Sequence, residues 1–205
     1  MKFIHASILI FILQIIIIPF LNAQDTLLTK YPNSTLRWEK VYQEEEKIAE
    51  NIYHENGEAW MTVQYQNEAN QVWKWYYDNG NPYFEAIIVD DLLQGSYKIW
   101  YENGQLAEQL FFKDNVENGL AVFYHSNGQL AMKGIFEKGQ MIGDWEFFTA
   151  EGETPDGVWE WYFAAALDQI RVKGQFKNGQ PYGKWVYWGT ANQGRKSQLV
   201  FEKEF

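Results

Sequence analysis

The sequence has no cysteine, only three histidines and five prolines in 205 residues, and few cations to balance its acids, 17 Lys and Arg against 27 Asp and Glu. Without cysteine there are no disulfides, no thiolate nucleophile and no zinc ribbon, and no acceptor for a lipid anchor follows the N-terminal apolar run. The shortage of cations makes a surface that repels phosphate backbones and anionic headgroups, so nucleic acid and acidic membranes are poor partners. No glycine-rich phosphate loop opens a helix, and His-Glu-x-x-His and Gly-x-Ser-x-Gly are both absent. Long hydrophobic runs are limited to one, Ile8 to Leu21, which follows Lys2 and precedes Leu21-Asn22-Ala23. A run of about 14 apolar residues is short for a bilayer span and reads as a signal peptide, residues 1–23, sending the chain to a periplasm or outside the cell. The chain after Ala23 keeps 16 basic and 27 acidic residues, a net charge of −11.

What the sequence has in abundance is glycine at a fixed step and aromatic rings. Gly80, Gly104, Gly128 and Gly152 fall 24 apart, and Gly95, Gly119 and Gly143 form a second series with the same step. Aligning the copies produces a column of Tyr76, Trp100, Tyr124 and Phe148, continued less regularly by Tyr162 and Trp188. Such regularity belongs to a repeat and not to an 18% aromatic composition. Packing within a sheet accounts for this column.

Each regular copy contains Asn-Gly, at 79–80, 103–104 and 127–128, and this dipeptide suits the positive φ angles of a two-residue hairpin turn. The following residues alternate: Leu106, Leu110 and Phe112 share one parity, as do Leu130, Met132 and Phe136, then Ile170, Val172 and Phe176. The other parity, with Lys133, Glu137, Arg171, Lys173 and Lys177, reads as the wetter face. One unit of 24 residues therefore holds two antiparallel strands, one Asn-Gly turn and a second turn ending in the second glycine series. At about 4.8 Å between strands, each unit advances the sheet by roughly 10 Å. Neighbouring units must stack to bury their apolar face.

These residues carry a resemblance. The core G-x-W-x-x-Y-Y-x-N-G, present as Gly143-Asp144-Trp145-Glu146-Phe147-Phe148, as Trp73 to Gly80 and as Gly183-Lys184-Trp185-Val186-Tyr187-Trp188, resembles the bacterial MORN-repeat variant of YwqK-type antitoxins over roughly residues 51–188. The resemblance implies an all-β fold, an extended antiparallel meander in a single layer, preceded here by the signal-peptide helix. It also implies a scaffold without a catalytic centre.

The organisation expected is a signal peptide (1–23), an N-terminal cap or linker (24–50) and a repeat array (51–205). The cap holds a turn at Tyr31-Pro32-Asn33-Ser34, a strand from Leu36 to Tyr42 and a solvated run at Glu44-Glu45-Glu46. The array breaks at 153–157, where four residues stand between Gly152 and Gly157 in place of 14, so one strand is lost. Either two aromatic strands then pair directly or the loop crosses over. The break is a candidate for a concave partner-binding spot lined by Trp145, Trp159, Trp161 and Tyr162.

Titratable residues point away from catalysis. His54 and His125 each stand three before a turn glycine, some 30 Å apart at the repeat spacing, too far to share a metal. Asp90-Asp91, Asp114 with Glu117, and Asp144 would be the acid pairs of a glycosidase, but most lie in turns where polar residues are expected. The expected function is an exported non-catalytic scaffold that binds a protein, with no cofactor and no metal. An envelope glycan binder and an antitoxin-like partner of a toxin are the alternatives.

Overall fold

The computed structural model describes residues 24–163, 166–188 and 199–205. Residues 1–23, read above as a signal peptide, lie outside the described residues, as do Ala164 and Ala165 of the long connection. Everything described is strand or turn. Strands β1 (Gln24–Lys30), β2 (Leu36–Gln43), β3 (Glu46–Tyr53), β4 (Ala59–Tyr65), β5 (Asn70–Tyr76), β6 (Pro82–Val89), β7 (Leu92–Trp100) and β8 (Leu106–Lys113) form an antiparallel meander. It continues through β9 (Val116–Glu117) and β10 (Gly119–Tyr124), both paired with β8, to β11 (Leu130–Glu137) and β12 (Gln140–Phe147). A second sheet holds β13 (Gly157–Phe163), β14 (Ala166–Lys177), β15 (Gln180–Trp188) and β16 (Leu199–Glu204).

The two turns of the repeat exchange the roles expected of them. At Tyr101–Gln105 the Tyr101 N–H donates to the Gln105 carbonyl and the Gly104 N–H to the Tyr101 carbonyl, and only Gly104 has positive φ (84°). This is a longer loop closed by a glycine bulge, not a two-residue turn. Asn is required for another reason. Asn103 Oδ1 accepts the Gln105 N–H, while its Nδ2 donates to the Ser126 carbonyl of the next turn at 2.8 Å. Asn79 and Asn127 do the same with Glu102 and Ala150. The tight turns are Glu44-Glu45, Asp90-Asp91, Asp114-Asn115, Lys138-Gly139 and Asn178-Gly179, where both residues have positive φ. Gly95, Gly119 and Gly143 end no turn; Gly143, at φ 64°, lies in the bulge between the pairs Lys133↔Glu146 and Ile135↔Ile142.

A second ladder ties the copies together. The hydroxyls of Tyr31, Tyr77 and Tyr101 donate to the carbonyls of Tyr53, Trp100 and Tyr124, each at 2.8 Å. Burial pushes the Tyr77 and Tyr101 phenols up to about 12, so both remain donors at neutral pH. His125 replaces Tyr in this column, and its Nε2–H donates to the Phe148 carbonyl at 2.9 Å. Tyr31 makes the same bond, and Ser34 takes the positive φ of the turn glycine, so β1–β3 continue the meander with the same turn geometry.

Register fixes the faces. One cross-strand row reads Trp38, Ile52, Met61, Trp75, Phe84, Ile99, Glu108, Phe123, Met132, Phe147 from β2 to β12. The opposite face reads Glu39, Asn51, Thr62, Lys74, Glu85, Lys98, Gln109, Val122, Lys133, Glu146. The expected alternation is therefore observed, and the second row is laced by Lys74–Glu85, Glu85–Lys98 and Lys133–Glu146 ion pairs. The core row passes through the residue before the aromatic column; the column residues Tyr76, Trp100, Tyr124 and Phe148 are half-buried, and Tyr162 is exposed.

The lost strand at 153–157 neither pairs two aromatic strands of the first sheet nor sends a crossover into it. The chain leaves the first sheet and lays the second over β8–β12. Trp159, Trp161, Val172, Phe176, Trp185 and Tyr187 join Leu110, Phe112, Phe123, Met132, Phe136 and Phe147 in one core. On β14, Arg171 meets β8 and β9, while Phe176 meets Phe147 of β12. Five extended residues cover about 17 Å, close to the three interstrand steps between β8 and β12, so the strands of the two sheets cross steeply.

Close approach within this core explains two glycines. A Cβ on Gly174 would lie 2.1 Å from the Trp185 ring, and one on Gly134 2.2 Å from Trp145. Gly143 has open space but a φ of 64°. Gly174→Ala is expected to cost about 1–3 kcal/mol or more through forced ring displacement, and Gly143→Ala about 1 kcal/mol of backbone strain. Chemical denaturation of both variants checks this; equal midpoints would contradict it.

Candidate functional site

Two features stand out on the aromatic face, a buried polar cluster beneath the second sheet and an open half beyond it. The cluster forms from three residues that each break the repeat. Glu108 interrupts an otherwise apolar row. Glu117 follows a tight turn at the position that Leu93 and Met141 hold in neighbouring copies. Arg171 stands where earlier copies carry Ala107 and Ala131. Arg171 Nη1 donates to Glu108 Oε2 at 2.5 Å, and Nη2 donates to Glu117 Oε1 at 3.0 Å; the Tyr187 hydroxyl donates to the same Glu117 oxygen at 2.7 Å. Arg171 is 0% exposed, Glu108 2% and Glu117 5%. The wet-face reading of Arg171 is thus corrected: at the bulge between the pairs Trp161↔Val172 and Tyr162↔Ile170 the side chain turns inward. The acid pair of Asp114 with Glu117 dissolves too, because Asp114 sits in a tight turn while Glu117 is bound to Arg171.

One cation facing two carboxylates leaves the cluster acidic. Burial raises the Glu117 carboxyl above its ordinary range, outweighing Arg171 and the Tyr187 hydrogen bond, with Glu108 adding to the rise. Burial likewise raises the Tyr187 phenol, and the surrounding acids hold Arg171 firmly protonated. The carboxylates are closed off by protein on all described sides, which suits them to joining sheets and not to turning over a substrate.

The four residues expected to line a binding spot at the break are not brought to one surface. Trp159 and Trp161 stack at 6.0 Å and 11° inside the core, 8% and 7% exposed. Trp145 lies over Gly134 and is half-buried, and Tyr162 alone is exposed, its hydroxyl donating to Glu160. The reason is the sandwich itself: once the second sheet folds back, its inward rings become core.

The open half lies on β2–β6, where no described strand covers the face. Its rings form a chain: Trp60 stacks on Trp75 (6.3 Å, 30°), Trp75 meets Phe84 (5.6 Å), Phe84 meets Tyr97 (5.2 Å) and Tyr97 meets the core residue Phe112 (5.1 Å). Trp60 is 45% exposed. At the N-terminal end, Glu50 accepts from Trp38 Nε1, Lys47 Nζ and Tyr65 OH at 2.8, 2.9 and 3.2 Å. Burial would raise this carboxyl, but Lys47 and the hydrogen bonds outweigh it and hold it below the ordinary range. Lys40 and Lys47 sit over the Trp38 and Tyr65 rings at 4.1 and 4.3 Å. The sequence pattern names these rings, but only the register puts them on the same face as the core. Among the described residues no group of three or more His, Asp or Glu is placed to hold a metal.

Three consecutive segments, residues 72–89, 93–114 and 117–138, match the family model of the MORN repeat variant. Residues 72–138 carry three MORN-variant repeats. Among curated protein sequences no relative matches. Two solved structures share local geometry: a Staphylococcus aureus TarM point mutant in complex with fondaparinux, α-GlcNAc-glycerol and UDP (7% identity, TM-score 0.32), and TarM itself (8% identity, TM-score 0.30). Each match covers 54% of this chain and only 20% and 19% of the TarM chains, so this chain spans about a fifth of their length. Scores this low bear on neither activity nor ligand. MORN repeats serve in protein and membrane interaction and are in general non-catalytic. The three matched MORN segments run from β5 to the end of β11, across the boundary between the open and the covered halves.

Removing one member of the buried cluster strands the others. Arg171→Met is expected to cost about 3–5 kcal/mol, whereas adding Glu108→Met and Glu117→Leu should recover most of that loss, because an apolar core needs no partner for a buried charge. Denaturant midpoints of the single and triple variants check this. The pH dependence has a definite sign. With its folded pKa raised, Glu117 binds its proton more tightly folded than unfolded, so its contribution is full below the ordinary carboxylate range and is lost as pH rises through the raised value. Glu117→Gln should flatten that loss in a melting series from pH 4 upward, estimated against the ordinary carboxylate pKa of about 4.3; an unchanged slope would contradict the assignment.

Proposed function

We propose that the protein is an exported, non-catalytic MORN-repeat scaffold, periplasmic or extracellular, whose open aromatic face on β2–β6 docks a protein partner. The single observation behind this reading is the unequal covering of one continuous face. Over β8–β12 the row Glu108, Phe123, Met132, Phe147 is buried by the second sheet, while over β2–β6 the row Trp38, Ile52, Met61, Trp75, Phe84 is not. Partly exposed contiguous rings on a soluble chain mark an interaction surface.

A protein fits this surface better than a glycan. Sugars stack on open ring faces, but Trp60 stacks on Trp75 at 6.3 Å and Trp75, Phe84 and Tyr97 pack in sequence, so each ring shares its surface with a neighbour. A contiguous apolar surface of this kind suits aliphatic and aromatic side chains. Glu50 is already saturated by three donors and is not free to grip a hydroxyl.

Affinity capture from the envelope fraction tests the reading. A protein retained at fixed ratio by the wild type and lost, at least tenfold weaker, with Trp60→Ala or Trp38→Ala is the expected outcome. Retention of polysaccharide alone would overturn it. Trp159 and Trp161 are unsuitable probes, because truncating either removes core volume at a cost of about 3–5 kcal/mol.

A further inference from the structure

We infer that the occupant of the open face is a second copy of this chain, the two β2–β6 faces meeting about a two-fold axis; this rests on the reading above that the open half is a docking surface. The open half is continuous with an interface the molecule already makes. The row that begins at Trp38, Ile52, Met61, Trp75 and Phe84 runs without a break in register into the row that the second sheet covers. The chain of rings from Trp60 to Phe112 crosses that boundary.

What covers the inner half shows what the outer half accepts. The second sheet is built from the same repeat, with rings on its inner face and its strands crossing those below. Among the described residues, the other surface with that composition and the same pleat is the open face itself, so a second copy brings the mate. A two-fold contact of this kind is self-complementary and closes after one step, which fits a face that ends where the second sheet begins.

Charge and size agree. The chain carries a net −10, yet at the N-terminal end of this face Lys40 and Lys47 stand against Glu50 and, on the adjoining β1, Asp25, so the face is close to neutral and two copies of it meet with less of the repulsion that opposes contact elsewhere. Five strands at about 4.8 Å and seven residues at about 3.3 Å make a flat patch of roughly 19 by 23 Å. That is a little over half of the roughly 800 Å² per partner of a standard interface, a size that suits a weak, reversible contact. The competing surface, the outer-face strip of Leu120, Ile135 and Ile142, is apolar but lies beside the Lys133–Glu146 row and continues into no interface.

Sedimentation equilibrium of the purified protein, with Trp60→Glu and Ile135→Glu as variants, tests the inference. Both sites are about half exposed, at 45% and 50%, and thermal melts establish that each variant is folded. A wild-type dimer in the range of tens of micromolar, weakened at least tenfold by Trp60→Glu and unchanged by Ile135→Glu, is expected. As a second measurement, the cysteine-free background allows a spin label on Glu55→Cys, an exposed position in the turn before β4, which should report an intermolecular dipolar coupling that Trp60→Glu abolishes. A wild type that stays monomeric at several hundred micromolar overturns the inference, as does a dimer broken by Ile135→Glu alone. A monomer that still captures a different protein through Trp60 overturns only the second copy and leaves the docking face standing; a dimer indifferent to Trp60 with no captured protein removes both.

Discussion

A sheet made from one repeated hairpin has the same apolar face from end to end, and water must be kept from it by something that cannot tell one repeat from the next. This degeneracy is the constraint on which the rest of the structure depends. Rings recur every 24 residues, so a covering sheet held by hydrophobic packing alone could settle over β4–β7 as readily as over β8–β12. Apolar burial supplies the energy and leaves the position undetermined. The buried cluster of Arg171, Glu108, Glu117 and Tyr187 supplies what packing lacks, because sliding the second sheet by one repeat would place Arg171 against Phe84 and Leu93, with no carboxylate to meet it. Buried polar groups are best attested in this role of fixing register.

That choice determines which part of the face remains available. With β8–β12 occupied, β2–β6 stays open, and its rings keep their positions through hydrogen bonds that cross from copy to copy. Tyr77 and Tyr101 tie each strand end to the next, and Asn79 and Asn103 tie each turn to the next, so the spacing of the rings is set by backbone carbonyls and not by the rings themselves. A face mounted this way is held in place by its own chain, and any contact made through it would carry a low ordering cost.

How far this could be read from the sequence depends on whether a residue obeys the repeat. The period, the strand alternation and the all-β meander are written redundantly: Leu110, Phe112, Met132 and Phe136 each repeat the same statement, and all are buried. The turn types are not legible locally, because Asn-Gly satisfies two different chemistries and its side-chain bonds to the next copy are invisible to a local rule. The sandwich was not legible at all from local pattern. Alternation says that Trp159 and Trp161 share a face but not whether that face meets solvent or another sheet. A signal did exist in the departures, a Glu in an apolar row, a second Glu in place of Leu93 or Met141, and an Arg in place of Ala. Three independent departures of complementary charge imply one meeting place, and only the strand lost at 153–157 lets the chain reach it.

The lost strand has a sharper consequence than shortening. In a meander each added strand continues the sheet with alternating direction, so an array with its full complement would extend β12 by another hairpin and leave the whole aromatic row in water. Removing one strand and placing Pro155 in the connection withholds the partner that β12 would otherwise pair with, and the four-residue link from Gly152 to Gly157 is too short to carry the chain elsewhere. Folding back is then the way for the last four strands to bury their own rings. A deletion that would be neutral in a loop thus converts half of a single-layer ribbon into a sandwich, and in doing so divides one uniform face into a core and an open half.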